Sequence, residues 1–328
     1  MKTIQLIKKS VFLLLVMLTT ISCSDDDNVE MQGPLTIVET ALATPSLSNL
    51  VAALQAADGN LVGVLNSTGP FTVLAPTNAA FEKFLFDNNF ASLNDVPTDV
   101  LSVILLNHVI SGEVMAADLI ASDAGYTSTL ATGAGGNAMS LYFNTSNGVK
   151  FNGISNVVTA DIDASNGVIH VVDEVIGLPT VVDFALADPT FETLVAALTR
   201  SDLTFDYVGT LSTPNGTAPA PFTVFAPTNA AFADLLTELD VESLSDIDEP
   251  TLKATLDHHA VAGFNVQSSG LTDNLTITTL GGDIEANVTG GATLTDANGR
   301  ISAIVVVDVQ AANGVIHAID KVILPPLE

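Results

Sequence analysis

FTVLAPTNAAF, residues 71–81, returns at residues 222–232 as FTVFAPTNAAF, with one difference in eleven positions. Two near-identical strings at an offset of 151 mark one structural unit built twice. The string reads as strand, turn, helix. Phe71, Val73 and Ala75 alternate with Thr72 and Leu74 in a short β-prone run. Pro76 lacks the N–H that a sheet ladder needs, so the strand ends there. Thr77 or Asn78 then caps a helix by accepting a bond from a free backbone N–H, as Thr228 or Asn229 does in the second copy. Phe81, Phe84 and Leu85 follow at helical spacing, and so do Phe232, Leu235, Leu236 and Leu239. The string turns a core strand into a core-covering helix and shows no chemistry of its own.

Further blocks repeat around it in the same order. LVAAL stands at 50–54 and at 194–198. Thr44-Pro45 and Asp188-Pro189 open those helices. Leu47, Leu50, Val51 and Leu54 form one apolar stripe; Phe191, Leu194, Val195 and Leu198 form the other. The extra length of the second copy falls in LSTPNGTAPAP (211–221), a turn-rich composition that belongs on the surface. LLNHVISGEV (105–114) aligns with LDHHAVAGFNV (256–266). His108 and His259 point into the apolar side of a helix that ends before Gly112 or Gly263, whereas His258 diverges toward the surface. SNGVIHVVDEVIGLP (165–179) and ANGVIHAIDKVILPP (312–326) close the two copies. Asn166-Gly167 and Asn313-Gly314 are hairpin signals. The runs on both sides of each turn are apolar on both faces, which predicts strands buried in the sheet. The stretches 115–155 and 267–300 read as short strands and loops.

The chain of 328 residues has room for two ordinary domains, and its 48% apolar content can fill their cores. The formal net charge is −28. Three of the nine basic residues, Lys2, Lys8 and Lys9, precede every acidic residue, so the chain after Cys23 stands at −31. Such a surface repels nucleic acid and anionic headgroups, and tolerates loosely associated divalent cations. VFLLLVML (11–18) behind those lysines is too short to span a bilayer and reads as the core of an export signal, residues 1–22. Cys23 is the only cysteine, which excludes an internal disulfide. Its place directly after the signal resembles the lipidation site of a bacterial lipoprotein, with an unmodified thiol as the alternative. Thr20 stands where that pattern prefers leucine. Residues 23–34 then form an acidic tether, and Ser24-Asp25-Asp26-Asp27 resembles the tag that sends some lipoproteins to the outer face of the outer membrane.

The blocks, in this order, resemble the fasciclin domain twice, over 35–178 and 179–328. The opening string and the closing Asn-Gly-Val-Ile-His hairpin match the family's marks. The middle Tyr-His pair departs from them, with Asn107 and His258 in place of tyrosine. The resemblance implies an α+β fold, each domain a β-sandwich-like wedge of two sheets with helices packed around it. It also implies secreted or surface-anchored modules for adhesion rather than catalysis.

All five histidines lie in repeated blocks, but their spacing matches no metal or acid–base motif. A core role, with ring nitrogens bonded to backbone or hydroxyl groups, is expected for His108, His170, His259 and His317. Asp161-Ile162 sits where some animal fasciclin domains carry an integrin-contacting pair, and Asp308-Val309 is its counterpart. The flanking residues differ: Thr159, Ala160 and Asp163 replace Glu, Pro and Met. The four are candidate contact residues, or else simply solvate an edge. DIDASNG (161–167) lacks the register of a calcium loop and reads as a turn. The acidic run from Glu238 to Glu249 reads as a solvated helix end. TGAGGNA (132–138) lacks the spacing of a dinucleotide fingerprint. The expectation is a surface lipoprotein of the outer membrane that binds a cell-surface or matrix protein or a polysaccharide, without catalytic residue, cofactor or metal. A passive spacer in an envelope complex is the alternative.

Overall fold

The computed structural model describes residues 33–326. Cys23, the export signal and nearly all of the tether lie outside the described residues. Repeat one contains β1 (Phe71–Pro76), β2 (Val109–Ser111), β3 (Ala124–Thr132), β4 (Ala138–Asn144), β5 (Lys150–Phe151), β6 (Ser155–Ala164) and β7 (Gly167–Val172). Repeat two answers with β8 (Phe222–Pro227), β9 (Ala260–Ala262), β10 (Leu275–Thr278), β11 (Asp283–Asn287), β12 (Thr293–Thr295), β13 (Ile301–Gln310) and β14 (Gly314–Ile319). The helices of repeat one are α1 (Ile37–Ala43), α2 (Ser48–Ala56), α3 (Leu61–Leu65), α4 (Asn78–Asp87), α5 (Thr98–Leu106) and α6 (Ala116–Ser122). Those of repeat two are α7 (Val181–Ala187), α8 (Glu192–Leu198), α9 (Tyr207–Leu211), α10 (Asn229–Glu238) and α11 (Glu249–Asp257).

The duplicated string supplies the central strand of each sheet. β1 runs parallel to β7 from Phe71↔Gly167 to Pro76↔Val172, and antiparallel to β2. β8 repeats this with β14 and β9. Repeat one's strands close into a ring in chain order, joined between β2 and β3 by the pair Ile110↔Thr129. Repeat two keeps the same neighbours but stays open between β9 and β10.

Strand alternation divides each repeat into two cores. Val73 and Ala75 face the helices with Phe81, Leu101 and Ile169, whereas Leu74 faces Leu141, Phe143 and Phe151 on the other side. Val224 and Phe225 part company in the same way. Burying a side chain such as Phe81 is worth about 2–3 kcal/mol, so both faces of the string are needed to hold the wedge together. The sheet-facing and helix-facing residues are therefore all apolar except Thr72 and Thr223. Thr72 Oγ1 donates to Gly112 O and accepts from Val114 N, both at 2.8 Å. Thr223 does the same with Phe264 O and Val266 N.

Three expectations are corrected. The first strand of each closing hairpin is not buried: Val158 is 54% exposed and Val305 53%. Bulges shift the β6–β7 register twice after Val157, and the β13–β14 register twice after Ile304. The outer neighbours β5 and β12 are too short to cover the bulged part. In 115–155 a helix, α6, forms where only strands and loops were expected; the Asp118 carboxylate accepts from Met115 N at its start. Leu239 caps α10 and is 38% exposed instead of lying on the apolar stripe.

The two repeats share packed surface. Tyr142 of β4 belongs to the helix-side core of repeat two. Tyr126 of β3 packs on Tyr142 and edge-on against Phe184 of α7, with ring centroids 5.1 and 5.9 Å away. Its hydroxyl donates to Asp188 Oδ2 at 2.8 Å. Gln310 N donates to Ser140 Oγ at 2.9 Å. Gly133 approaches repeat two so closely that a Cβ there would stand 2.2 Å from Ala311 O.

Candidate functional site

The repeated polar residues converge on the junctions between helices and sheet. Thr77 is the N-cap of α4, its hydroxyl accepting from Ala80 N, and Thr228 caps α10 through Ala231 N. Asn78 and Asn229 follow as first helical residues, and their side chains hold the neighbouring helix. Asn78 Oδ1 accepts from Asn49 N while Nδ2 donates to Pro45 O. Asn229 does so with Thr193 N and Pro189 O.

Asn166 ends the turn before β7, but the turn is not the mirror-image type that Asn-Gly signals. The two loop residues are Ser165 and Asn166, neither with positive φ, and Gly167 already pairs with Ala164. The Asn166 side chain acts instead as a buried hub. Oδ1 accepts from Ile37 N at 2.9 Å, and Nδ2 donates to Leu65 O and Ser67 O. Asn313 makes the same three bonds to Val181 N, Leu211 O and Thr213 O. Gly167 is required by contact with β1: a Cβ would lie 1.9 Å from Phe71 O. Gly314 meets Phe222 O likewise.

The histidines are structural. His108 Nε2 accepts from Ile176 N at 2.9 Å, so the proton sits on Nδ1 and is donated to Ile104 O at 2.7 Å. His259 copies this with Ile323 N and Thr255 O. Burial without a charged partner pushes both down to about 4. His170 and His317 hold the opposite tautomer. Their Nδ1 accepts from Asp161 N and Asp308 N, and their Nε2–H is donated to Val114 O and Val266 O. Burial also lowers the His317 value. Both ring nitrogens of all four are thus committed to backbone. His258, expected at the surface, is buried: the 279–282 turn lies over its ring, and Nδ1 meets Ala254 O at 2.7 Å. Among the described residues, no three His, Cys, Asp or Glu side chains gather as a metal site.

Asp161 and Asp308 occupy the bulges of β6 and β13 at φ 57° and 59°. Asp161 Oδ1 accepts from Ala116 N at 2.9 Å, and Asp308 Oδ1 from Ser268 N at 2.7 Å; the Ser268 hydroxyl also bonds Asp308 Oδ2. Each carboxylate thus ties its bulge to the next segment while staying about one-third exposed, at 35% and 32%. Ile162 is half-buried. Val309 is 2% exposed and packs into the repeat-two core, which removes it as a contact residue.

The family model for the fasciclin domain matches residues 45–179 and again 189–325. The chain belongs to the fasciclin family. Protein sll1483 of Synechocystis is 43% identical over 143 residues, covering 43% of this chain and 73% of that protein. Transforming growth factor-beta-induced protein ig-h3 of Oryctolagus cuniculus is 30% identical over 278 residues, covering 80% of this chain and 35% of its own length. The solved FAS1 domain pair of the insect cell adhesion molecule Fasciclin I superposes over 86% of this chain and 97% of its own, with a TM-score of 0.51 at 19% identity. That likeness speaks to the fold: two fasciclin domains with helices around sheets.

Repeat matching missed the residues present in one fasciclin domain only. Tyr126, Ser140 and Tyr142 at the domain boundary have no counterpart in the second copy. Asn152 is another. Its Oδ1 accepts from Tyr142 N, and its Nδ2 has no partner among the described residues. The available signal was the Asn-Gly dipeptide itself, which marks a turn; Asn152 stands there at φ 46°.

Proposed function

We propose that this protein is a non-enzymatic adhesion module, anchored at the outer surface of a bacterial outer membrane through a lipidated Cys23. It binds a matrix or cell-surface protein, or a polysaccharide. The observation that carries the reading is the commitment of the repeated polar side chains to backbone. The caps, asparagine hubs and four histidines hold elements together and leave no nucleophile–base pair or metal-ligand set among them. Support comes from the relatives, since the insect Fasciclin I is named as a cell adhesion molecule. The anchor rests on the lysine-flanked apolar run that ends at Cys23. Among the described residues, no single helix is long and apolar enough to cross a membrane.

The test is attachment and aggregation of cells displaying the whole chain, against cells carrying Cys23→Ala. Attachment that disappears with Cys23→Ala, together with loss of the protein from the membrane fraction, supports the reading. Display without any gain in attachment, to matrix-coated or glycan-coated surfaces, points to the passive spacer instead.

A further inference from the structure

We propose that the cleft across the domain boundary binds an extended, neutral oligosaccharide, an inference that rests on the surface-binding reading above. Three pockets of about 590, 360 and 250 Å³ adjoin there. The middle one shares Ile154, Gly177 and Leu178 with the largest, and Gly153, Leu186 and Ala187 with the smallest. The cleft therefore runs from α4 and α5 of domain one, over the β5–β6 loop, to α7 of domain two and the β4–β5 loop. Its length suits a chain-like ligand better than a compact one.

The second domain shows why the cleft is open. Ser155 and Ser302 are equivalent, donating to Glu174 O and Lys321 O at 2.9 and 2.8 Å. Two residues before them stand Gly153 and Arg300. The Arg300 side chain is 14% exposed, and its guanidinium donates to Val322 O at 2.8 Å and meets Glu238 at 2.5 Å. Asp296 in the same loop accepts from Leu324 N at 3.1 Å. In domain two that side chain and that carboxylate thus hold Glu238, Val322 and Leu324, whose counterparts Asp87, Val175 and Gly177 line the largest of the three pockets in domain one. Asp87, the counterpart of Glu238, turns to Lys83 at 2.8 Å instead.

The open cleft has an unmet hydrogen-bond donor. Asn152 is 8% exposed and lines the middle pocket, and its Nδ2 is the buried side-chain polar atom without a partner among the described residues. Leaving such a donor unmet is costly, and an accepting hydroxyl or ring oxygen relieves that cost. Ile154 and Leu186, in the same pocket, are 52% and 62% exposed, so an oxygen gains access by moving side chains rather than backbone. Charge favours a neutral ligand. Asp87, Glu174 and Asp183 line the cleft against Lys83 and Lys150, and Lys83 already bridges Asp87 and Glu174. A polyanion would meet no cationic surplus, on a chain carrying −28. Phe84 and Phe90 in the largest pocket offer apolar faces for the C–H side of a sugar ring. Asn147 and Ser146 in the smallest match its hydroxyls.

The experiment is a glycan array of neutral, sulfated and uronic-acid hexasaccharides, with a random-peptide array beside it, probed with the whole chain. Calorimetric titration then follows the strongest neutral binder. Ile154→Trp fills the cleft from an exposed position. Asn152→Asp keeps the acceptor for Tyr142 N and removes the donor. The expected result is binding confined to neutral glycans and weakened about tenfold or more by each variant, equivalent to the loss of one buried hydrogen bond. An unchanged thermal midpoint in Ile154→Trp separates this from unfolding. The cleft is ruled out if neutral glycans do not bind, if sulfated glycans or peptides bind better, or if Ile154→Trp leaves affinity intact. Wild-type adhesion that survives such a result leaves the surface-binding reading standing. Failure of wild-type adhesion, with neutral glycans still bound in the cleft, would remove that reading alone.

Discussion

Asn166 ties three segments together with one side chain, and alanine there would leave Ile37 N, Leu65 O and Ser67 O without it. Asn166→Ala is expected to cost about 3 kcal/mol or more, since each stranded buried group costs about 1–3 kcal/mol. Urea unfolding measures this, and a loss below about 1 kcal/mol would mean that water replaces the side chain. Asn313→Ala should behave alike in the second domain. The histidines make a pH prediction. His108 and His259 sit at about 4 in the fold against 6.5 normally, so the unfolded chain binds protons that the fold refuses. Stability is therefore full above pH 6.5 and falls as pH drops toward 4. By pH 5 each ring withdraws about 2 kcal/mol. Denaturation midpoints at pH 7 and pH 5 test it, and His108→Gln should flatten part of the slope. A slope identical in wild type and variant would assign the effect to the carboxylates. The core role of His108 was legible from its place on the α5 stripe. The burial of His258 was not, because the turn that covers it lies some twenty residues later and leaves no periodic trace.

At the scale of elements, the eleven-residue string encodes its own strand and helix, and its register comes from elsewhere. Pro76 and Thr77 mark the boundary locally, so that part could be read directly. Thr77→Ala should cost about 1 kcal/mol, the usual value of an N-cap. Asn78→Ala should cost more, because Asn78 also clamps the segment that opens α2. Gly167→Ala should be far worse than either. Its Cβ would collide with Phe71 O inside the parallel β1–β7 ladder, so strands that carry both cores must separate. Circular dichroism and thermal midpoints on the three variants give the ranking, and a Gly167→Ala midpoint near that of Thr77→Ala would overturn it. The apolar run Val305–Val307 misled for a physical reason. Composition shows that a strand is β-prone, whereas exposure depends on bulges and on how far the neighbouring strand extends. β12 begins only at Thr293, opposite Ala303, and pairs only with residues 301–303, so those valines face water.

At the scale of the molecule, the two domains form one folded body across a boundary that self-comparison cannot reveal. A repeat search finds what both copies share, and a boundary between unlike faces is built from what they do not share. Tyr142 lies inside the core of domain two, and Tyr126 adds a ring contact and a half-buried bond to Asp188. Tyr126→Phe keeps the ring and removes the hydroxyl. Asp188 retains its bond to Thr190 N, so the loss should be about 1–2 kcal/mol. Tyr126→Ala with Ser140→Ala removes the ring as well and strands Gln310 N. Scanning calorimetry should then change from one transition in the wild type to two, one for each domain. The reason is cooperativity: two cores melt together only while the contact between them is worth more than the difference in their own stabilities. Two transitions already present in the wild type would show that the boundary is too weak to couple the domains. A single transition in the double variant would place the coupling on Tyr142, whose ring is buried in the core of the other domain.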